Sequence, residues 1–337
     1  MLTTPPVVAD GKVFAKDAHG TVSAYRADTG EKIWSVTLKP EKARDSDEFG
    51  GGLSWYGGRL FVTTGFAQVF SLDAATGKEV WNSQVSAPVR GAPLVFGDRV
   101  MAVSIDNKLQ ALAAIDGADL WSYSGLNEGT SYIDNGSPAG SGDYVVAPFS
   151  SGELVNVRLN NGRMVWNEQL IGNRRETRAF GALSDIRGRP VIDRGMVVAM
   201  GSGGQLAAFE LTSGQHKWER SIGGSQTPWV AGRFVFVVSN SADVIAISRD
   251  DGKVKWVTPL TQYFDEKHQK PIGWAGPVLA GDRLLVAGQT GELLSISPYD
   301  GSILGKMDMR SPMRLAPIVA NRMIFVLTDT GRLIALR

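Results

Sequence analysis

A short phrase recurs along the chain at intervals that few folds accommodate. The stretch ADTGEKIWS at 27–35 returns as AATGKEVWN, AIDGADLWS, LNNGRMVWN, LTSGQHKWE and RDDGKVKWV. The glycine recurs every 38 to 52 residues, at Gly30, Gly77, Gly117, Gly162, Gly214, Gly252 and Gly301. A period of about 45 residues with strand-like content is typical of propeller blades of four strands each.

Each unit reads as four short strands. Residues 92–123, APLVFGDRVMAVSIDNKLQALAAIDGADLWSY, alternate runs of Val, Leu, Ile and Ala with Gly-Asp, Asp-Asn and Asp-Gly pairs. Such pairs supply the positive φ that tight hairpins require, and the flanking runs are too short for helices. No segment shows a sustained helical period. The sequence therefore predicts an all-β chain.

A tryptophan follows the repeated glycine by four positions in six of the seven phrases. These residues are Trp34, Trp81, Trp121, Trp166, Trp218 and Trp256, and Gly305 takes the place in the seventh phrase. We predict that the glycine makes the turn between the third and fourth strands of a blade. The tryptophan on the fourth strand would then cover the seam between neighbouring sheets.

Seven phrases and one shorter unit predict an eight-bladed β-propeller of four-stranded antiparallel blades, forming a single domain over 1–337. The predicted blades cover approximately 1–38, 49–86, 89–125, 131–170, 183–222, 224–260, 273–309 and 311–337. The last unit, APIVANRMIFVLTDTGRLIALR, stops after its third strand. A propeller normally closes by borrowing a strand from the other terminus. We therefore expect the last blade to lack its N-terminal closing strand, which a segment preceding Met1 would supply.

Composition argues against several kinds of function. The chain has no cysteine, which excludes disulfides, thiolate metal sites and cysteine nucleophiles. Its histidines, His19, His216 and His268, lack metal-ligand spacing. A formal net charge of +1 gives no reason to expect a nucleic-acid partner or an anionic membrane surface. No apolar run is long enough for a membrane span, and the opening residues MLTTPPVV do not form a signal peptide.

The motifs of catalysis and phosphate binding are also missing. We find no Walker loop, GxSxG elbow or HExxH pair, and the glycine-rich stretch at 201–205 has no following helix. Asp116, Asp251 and Asp300 lie at repeat-equivalent positions and are expected to be turn residues. We therefore predict no catalytic residue, no metal and no cofactor.

Four long insertions all lie between blades. They are KPEKARDSDEFGGG at 39–52, NEGTSYIDNGS at 127–137, GNRRETRAFGALSDIRGR at 172–189 and TQYFDEKHQKPIGW at 261–274. Inter-blade loops emerge at the same face as the loops between second and third strands, and loops on a rigid scaffold commonly carry function. Residues 172–194 hold six arginines against three carboxylates, a balance that suits a protein interface or a solvated loop.

Two families resemble this chain. The phrase ATGKEVW at 75–81 looks like the tryptophan-docking repeat of the pyrroloquinoline-quinone dehydrogenases, eight-bladed propellers that typically use a vicinal cysteine pair, which is absent here. Over essentially the whole chain, the sequence is similar to the BamB family, lipoproteins of the outer-membrane β-barrel assembly machinery. The LSD at 183–185 with Pro190-Val191 carries that resemblance. QTPWVAGRFVFVVS and WAGPVLAGDRLLVAG look like its alphaproteobacterial branch.

The resemblance to BamB implies a docking face for the POTRA domains of the barrel-inserting pore protein, built by the loops before blades four and five. Asp185 falls on a family contact aspartate, and Arg187 reverses the charge of a second acidic position. Residues 130–133 stand at a Leu-x-Leu-Arg contact, where they keep bulk in part and lose the arginine. The partner-binding candidates are Asp185, Arg187, Ser184, Leu183, Tyr132, Ile133 and Arg178.

The function that this resemblance implies is that of a non-enzymatic scaffold aiding delivery and insertion of outer-membrane proteins. The protein would lie at the periplasmic face of the outer membrane, anchored by a lipid on a cysteine upstream of Met1. Unfolded outer-membrane proteins are a further expected partner, through strand addition to a sheet edge. Two alternatives stay open: a quinone-dependent dehydrogenase or a sensor derived from one, and a propeller adaptor for another partner.

Overall fold

A computed structural model describes residues 4–40, 50–126, 136–170, 185–265, 267 and 269–337. In these ranges the chain is all β and contains no helix. Accordingly, the described residues include no helix long and apolar enough to cross a membrane.

The strands group into eight antiparallel sheets. Those of the first four are β1 (Val7–Ala9), β2 (Lys12–Lys16), β3 (Thr21–Arg26), β4 (Lys32–Thr37), β5 (Gly52–Tyr56), β6 (Arg59–Thr63), β7 (Gln68–Asp73), β8 (Glu79–Gln84), β9 (Leu94–Phe96), β10 (Arg99–Ser104), β11 (Lys108–Ala113), β12 (Asp119–Ser124), β13 (Ala139–Ser141), β14 (Tyr144–Pro148), β15 (Glu153–Arg158) and β16 (Met164–Gln169). Those of the last four are β17 (Val191–Asp193), β18 (Met196–Gly201), β19 (Gln205–Glu210), β20 (His216–Arg220), β21 (Trp229–Ala231), β22 (Phe234–Val238), β23 (Asp243–Ser248), β24 (Val254–Pro259), β25 (Trp274–Ala280), β26 (Arg283–Gly288), β27 (Glu292–Ile296), β28 (Ile303–Asp308), β29 (Ile318–Ala320), β30 (Met323–Leu327) and β31 (Leu333–Leu336).

Each sheet is a simple meander in which every strand pairs with the next along the chain. Seven sheets have four strands, and the eighth has β29, β30 and β31 among its described residues. The fold is an eight-bladed β-propeller, which confirms the prediction from the repeat.

The described chain divides into two compact units of four blades each. The first contains β1 to β16 together with residues Asp185–Pro190 and Thr212–Gly214, and the second contains β17 to β31. Within each unit, the second and third strands of the four-stranded blades are buried over most of their length, as in β10 and β11. The hydrophobic clusters lie between consecutive sheets, so each blade is stabilised by packing on its neighbour.

The repeated tryptophan lies on the glycine turn of the following blade. Trp34 Nε1 donates to the Ala74 carbonyl at 3.2 Å, and a Cβ added to Gly77 would stand 2.6 Å from the Trp34 ring. The same packing joins Trp81 to Gly117, Trp121 to Gly162, Trp166 to Gly214, Trp218 to Gly252 and Trp256 to Gly301. These glycines all have positive φ, so the position favours glycine for its conformation and for the space above it.

The tryptophan–glycine pairing is absent at Gly30 and at Gly305. Gly30 has the same turn conformation, with φ +75°, but an added Cβ would meet nothing within 4 Å. Gly305, which replaces the tryptophan in β28, likewise has open space around it. The blade after β28 has no turn between a third and a fourth strand in its described part, and therefore has no glycine turn on which a tryptophan at position 305 could pack.

Candidate functional site

Two of the predicted partner-binding residues lie in the described part of the chain. Asp185 is 1% exposed and Arg187 is partly exposed, two residues before the exposed Arg189. The remaining candidates, Leu183, Ser184, Tyr132, Ile133 and Arg178, lie outside the described residues. The segment 185–190 therefore presents arginine side chains and keeps its aspartate inside. The partner-binding role of all these residues stays a prediction.

The segment after Asp185 rests on the turn between β14 and β15. Ile186 is 1% exposed, and its N–H lies 3.5 Å from the Phe149 carbonyl. Gly136 packs here as well, because an added Cβ would come within 2.7 Å of the Pro148 side chain and 2.8 Å of the Ile186 carbonyl. A side chain at position 136 would therefore collide with the Pro148 ring and the Ile186 carbonyl.

The chain leaving β12 is held at the same turn. The buried Asn107 donates from Nδ2 to the Leu126 carbonyl at 2.8 Å. Its Oδ1 accepts from both the N–H and the hydroxyl of Ser150, at 3.0 and 2.8 Å. Asn107 has a φ of 55°, a left-handed conformation that asparagine tolerates better than most residues. One amide therefore ties the end of blade three to the β14–β15 turn of blade four.

Glu153, the first residue of β15, holds the other side of Leu126. It is 1% exposed; its Oε2 accepts the Leu126 N–H at 2.9 Å and its Oε1 accepts Asn167 Nδ2 at 3.1 Å. Burial raises the pKa of the nearby Tyr123 hydroxyl, and the Glu153 carboxylate adds to this effect. Gly125 has no room for a side chain, since an added Cβ would lie 2.7 Å from Phe149.

Sequence reasoning did not single out Asn107 or Glu153. The first residue of the third strand is polar in most blades, so Glu153 looks like an ordinary exposed position. The first residue of β3, β7, β11, β19, β23 and β27 is partly exposed, and only in β15 is this residue buried. The sequence offered only a weak indication for Asn107. This residue directly precedes the third strand in a left-handed conformation, and the equivalent residues of two other blades are Ala67 and Ala242.

The aspartates expected in turns do hold turns. Asp300 Oδ1 accepts from the N–H and the hydroxyl of Ser302, and Asp116 Oδ1 accepts the Ala118 N–H at 3.0 Å. Hydrogen bonding from the Ser297 side chain and then from Ser302 lowers the pKa of Asp300. The described ranges contain no group of three or more His, Asp or Glu side chains that could hold a metal ion.

Known proteins resemble this chain along nearly its whole length. The family profile described as "Outer membrane protein assembly factor BamB" matches residues 18–258 and 262–337. A relative of that name from Moranella endobia is 26% identical over 336 residues, covering 98% of this chain and 84% of the relative. Its namesake from Escherichia coli (strain K12) is 28% identical over 330 residues, covering 97% of this chain and 82% of the relative.

Solved structures show the same fold. The crystal structure of BamB from Moraxella catarrhalis superposes with a TM-score of 0.84 at 20% identity, covering 99% of this chain and 96% of that one. Quinohemoprotein alcohol dehydrogenase from Comamonas testosteroni superposes with a TM-score of 0.72 at 14% identity, covering 98% of this chain and 71% of that one. At these identities the likeness concerns the fold alone.

Proposed function

Because the chain belongs to the family of the outer membrane protein assembly factor BamB, we propose that it is a non-enzymatic scaffold for the assembly of outer-membrane proteins. It docks on the POTRA domains of the barrel-inserting protein and aids delivery of substrates to it. It acts at the periplasmic face of the outer membrane, held there by a lipid anchor. The observation that carries the proposal is the family match over 18–258 and 262–337.

The described surface supports a protein partner in one respect. Arg187 and Arg189 lie on a short segment whose Ile186 is buried; Arg187 is partly exposed and Arg189 is exposed. Arginine pairs bidentately with carboxylates and is enriched at protein interfaces. An acidic patch on a POTRA domain would be complementary to this segment.

The proposal is tested by calorimetric titration of the whole chain with purified POTRA domains from the same organism. We expect binding that Arg187→Glu and Tyr132→Ala each weaken about tenfold or more, an effect typical of interface residues. Asp185 is too deeply buried for a substitution to report on docking alone.

The matched control is Arg233→Glu, which reverses an arginine charge in the turn between β21 and β22, where the side chain is 86% exposed. This variant should bind like the wild type. Absence of binding by the wild type, or equal weakening by the control, would refute the docking proposal.

A further inference from the structure

The buried polar residues around the β14–β15 turn are unlike the packing that repeats from blade to blade. Asn107, Ser150 and Glu153 are each at most 5% exposed; Asn107 and Glu153 are hydrogen-bonded to the backbone of Leu126, and Ser150 is hydrogen-bonded to Asn107. Burying such groups is costly unless they are hydrogen-bonded, and here two of them, Asn107 and Glu153, bond to the backbone of the same residue.

Leu126 itself combines a fixed backbone with an exposed side chain. Its N–H is bound by Glu153 and its carbonyl by Asn107, while the side chain is 55% exposed. A large apolar side chain exposed at a loop needs no explanation when it stands alone. This one is held on both sides by buried polar groups, and it immediately precedes the insertion that begins at residue 127.

We propose that Leu126 is a contact residue of the docking face, and that Asn107 and Glu153 are positioning residues that hold it ready for the partner. The inference rests on the proposed docking function and adds an apolar contact to it. A side chain whose backbone is already ordered loses less entropy on binding, and a central apolar anchor commonly carries much of the affinity. The partner surface is accordingly an apolar depression on a POTRA domain.

The contact is tested with Leu126→Ser in the whole chain, titrated against the purified POTRA domains. Binding should weaken tenfold or more, with an unchanged unfolding midpoint because the side chain is already half exposed. The matched control is Leu120→Ser in β12, whose side chain is 44% exposed in the same blade. This control should stay within twofold of the wild type. Equal binding by wild type and Leu126→Ser would overturn the proposed contact.

The positioning role is tested separately by hydrogen exchange at the Leu126 amide, a readout that needs no partner. Glu153→Leu removes the acceptor and should speed this exchange at least tenfold and weaken binding, whereas Glu153→Gln keeps an acceptor and should restore both. Asn107→Ala is a second variant, and alanine occupies the same left-handed position at Ala67 and Ala242. Asn240→Ala is its control, because Asn240 likewise bridges to a loop carbonyl, that of Ser202.

The outcomes separate the two proposals. Faster exchange at Leu126 with unchanged binding would overturn the positioning role and leave docking intact. Unchanged exchange in Glu153→Leu would overturn it as well. Failure of the wild-type chain to bind would instead refute the proposed function, and the contact inference with it, while the exchange data would still report how the segment is held.

Discussion

Gly77 and Gly30 have nearly the same backbone conformation in very different surroundings. Their φ values are +73° and +75°, and both stand in the turn between the third and fourth strands. Above Gly77 lies the Trp34 ring, whereas nothing lies within 4 Å of a Cβ at Gly30. The pair therefore separates the two reasons for a glycine at this position: the left-handed conformation and the close approach of an indole.

We predict that Gly77→Ala destabilises the protein more than Gly30→Ala does. Both variants lose about 1 kcal/mol from the left-handed conformation. Gly77→Ala must also displace Trp34, which adds about 1–3 kcal/mol, as overpacking does elsewhere. Urea unfolding followed by tryptophan fluorescence gives both free energies. Equal losses would show that the ring contributes nothing to the choice of glycine.

At this scale the sequence predicted the repeating residues better than the unusual ones. The spacing of Gly77 and Trp81 placed them correctly because every blade must make the same turn. Glu153 and Asn107 could not be predicted in this way. A sequence does not distinguish a buried glutamate from an exposed one, and the burial of these two residues depends on contacts between neighbouring blades. Asp185 shows the same limit, because its 1% exposure follows from packing that no local pattern encodes.

The outermost strands share a feature that no spacing argument predicted. In each four-stranded blade, the pairing of the third and fourth strands shifts register once, close to the turn. In the first blade Ala24 pairs with Trp34 and Tyr25 pairs with Lys32, which leaves Ile33 as the extra residue. A bulge of this kind increases local twist and re-aims side chains. We infer that it helps direct the tryptophan onto the next blade.

A substitution in β28, the fourth strand of blade seven, tests why the tryptophan stabilises the other blades. The cause is either the strand that carries the tryptophan or the glycine turn of the next blade on which the ring packs. All six residues of β28 are exposed, and Gly305 stands where the other blades carry tryptophan. Gly305→Trp should change the free energy of unfolding by less than about 1 kcal/mol, because the new ring would find no glycine turn to cover.

The comparison variant is Trp81→Ala. Trp81 is 7% exposed, packs against Phe61 and donates to the Ala114 carbonyl. Its loss should cost about 3–5 kcal/mol, as for other large aromatic residues in cores. Both variants are measured by urea unfolding at the same pH. A stabilising Gly305→Trp of similar size would mean that the strand alone gives the tryptophan its effect.

Across the whole molecule, the repeat predicts the architecture and leaves the function open. The fold is shared with BamB from Moraxella catarrhalis and with a quinohemoprotein alcohol dehydrogenase, so the fold by itself does not assign a function. The insertions between blades differ in length and sequence from blade to blade and have no period. The proposed function therefore rests on the family match. The hydrogen bonds of Asn107 and Glu153 to the backbone of Leu126 could be found only from the three-dimensional structure.

The scaffold proposal predicts that pyrroloquinoline quinone and Ca²⁺ give this protein no dehydrogenase activity. Ca²⁺ sites need six to eight oxygen ligands, usually with several carboxylates, and the described part of the chain brings no three acidic or histidine side chains together. The chain also has no cysteine to form the vicinal pair typical of those enzymes. Dye reduction is measured with a primary alcohol, the quinone and Ca²⁺, alongside an authentic quinone dehydrogenase as the positive control. Reduction above the protein-free rate, or a quinone-dependent rise in the unfolding temperature, would favour the dehydrogenase alternative, because a ligand that binds only the folded state must stabilise it.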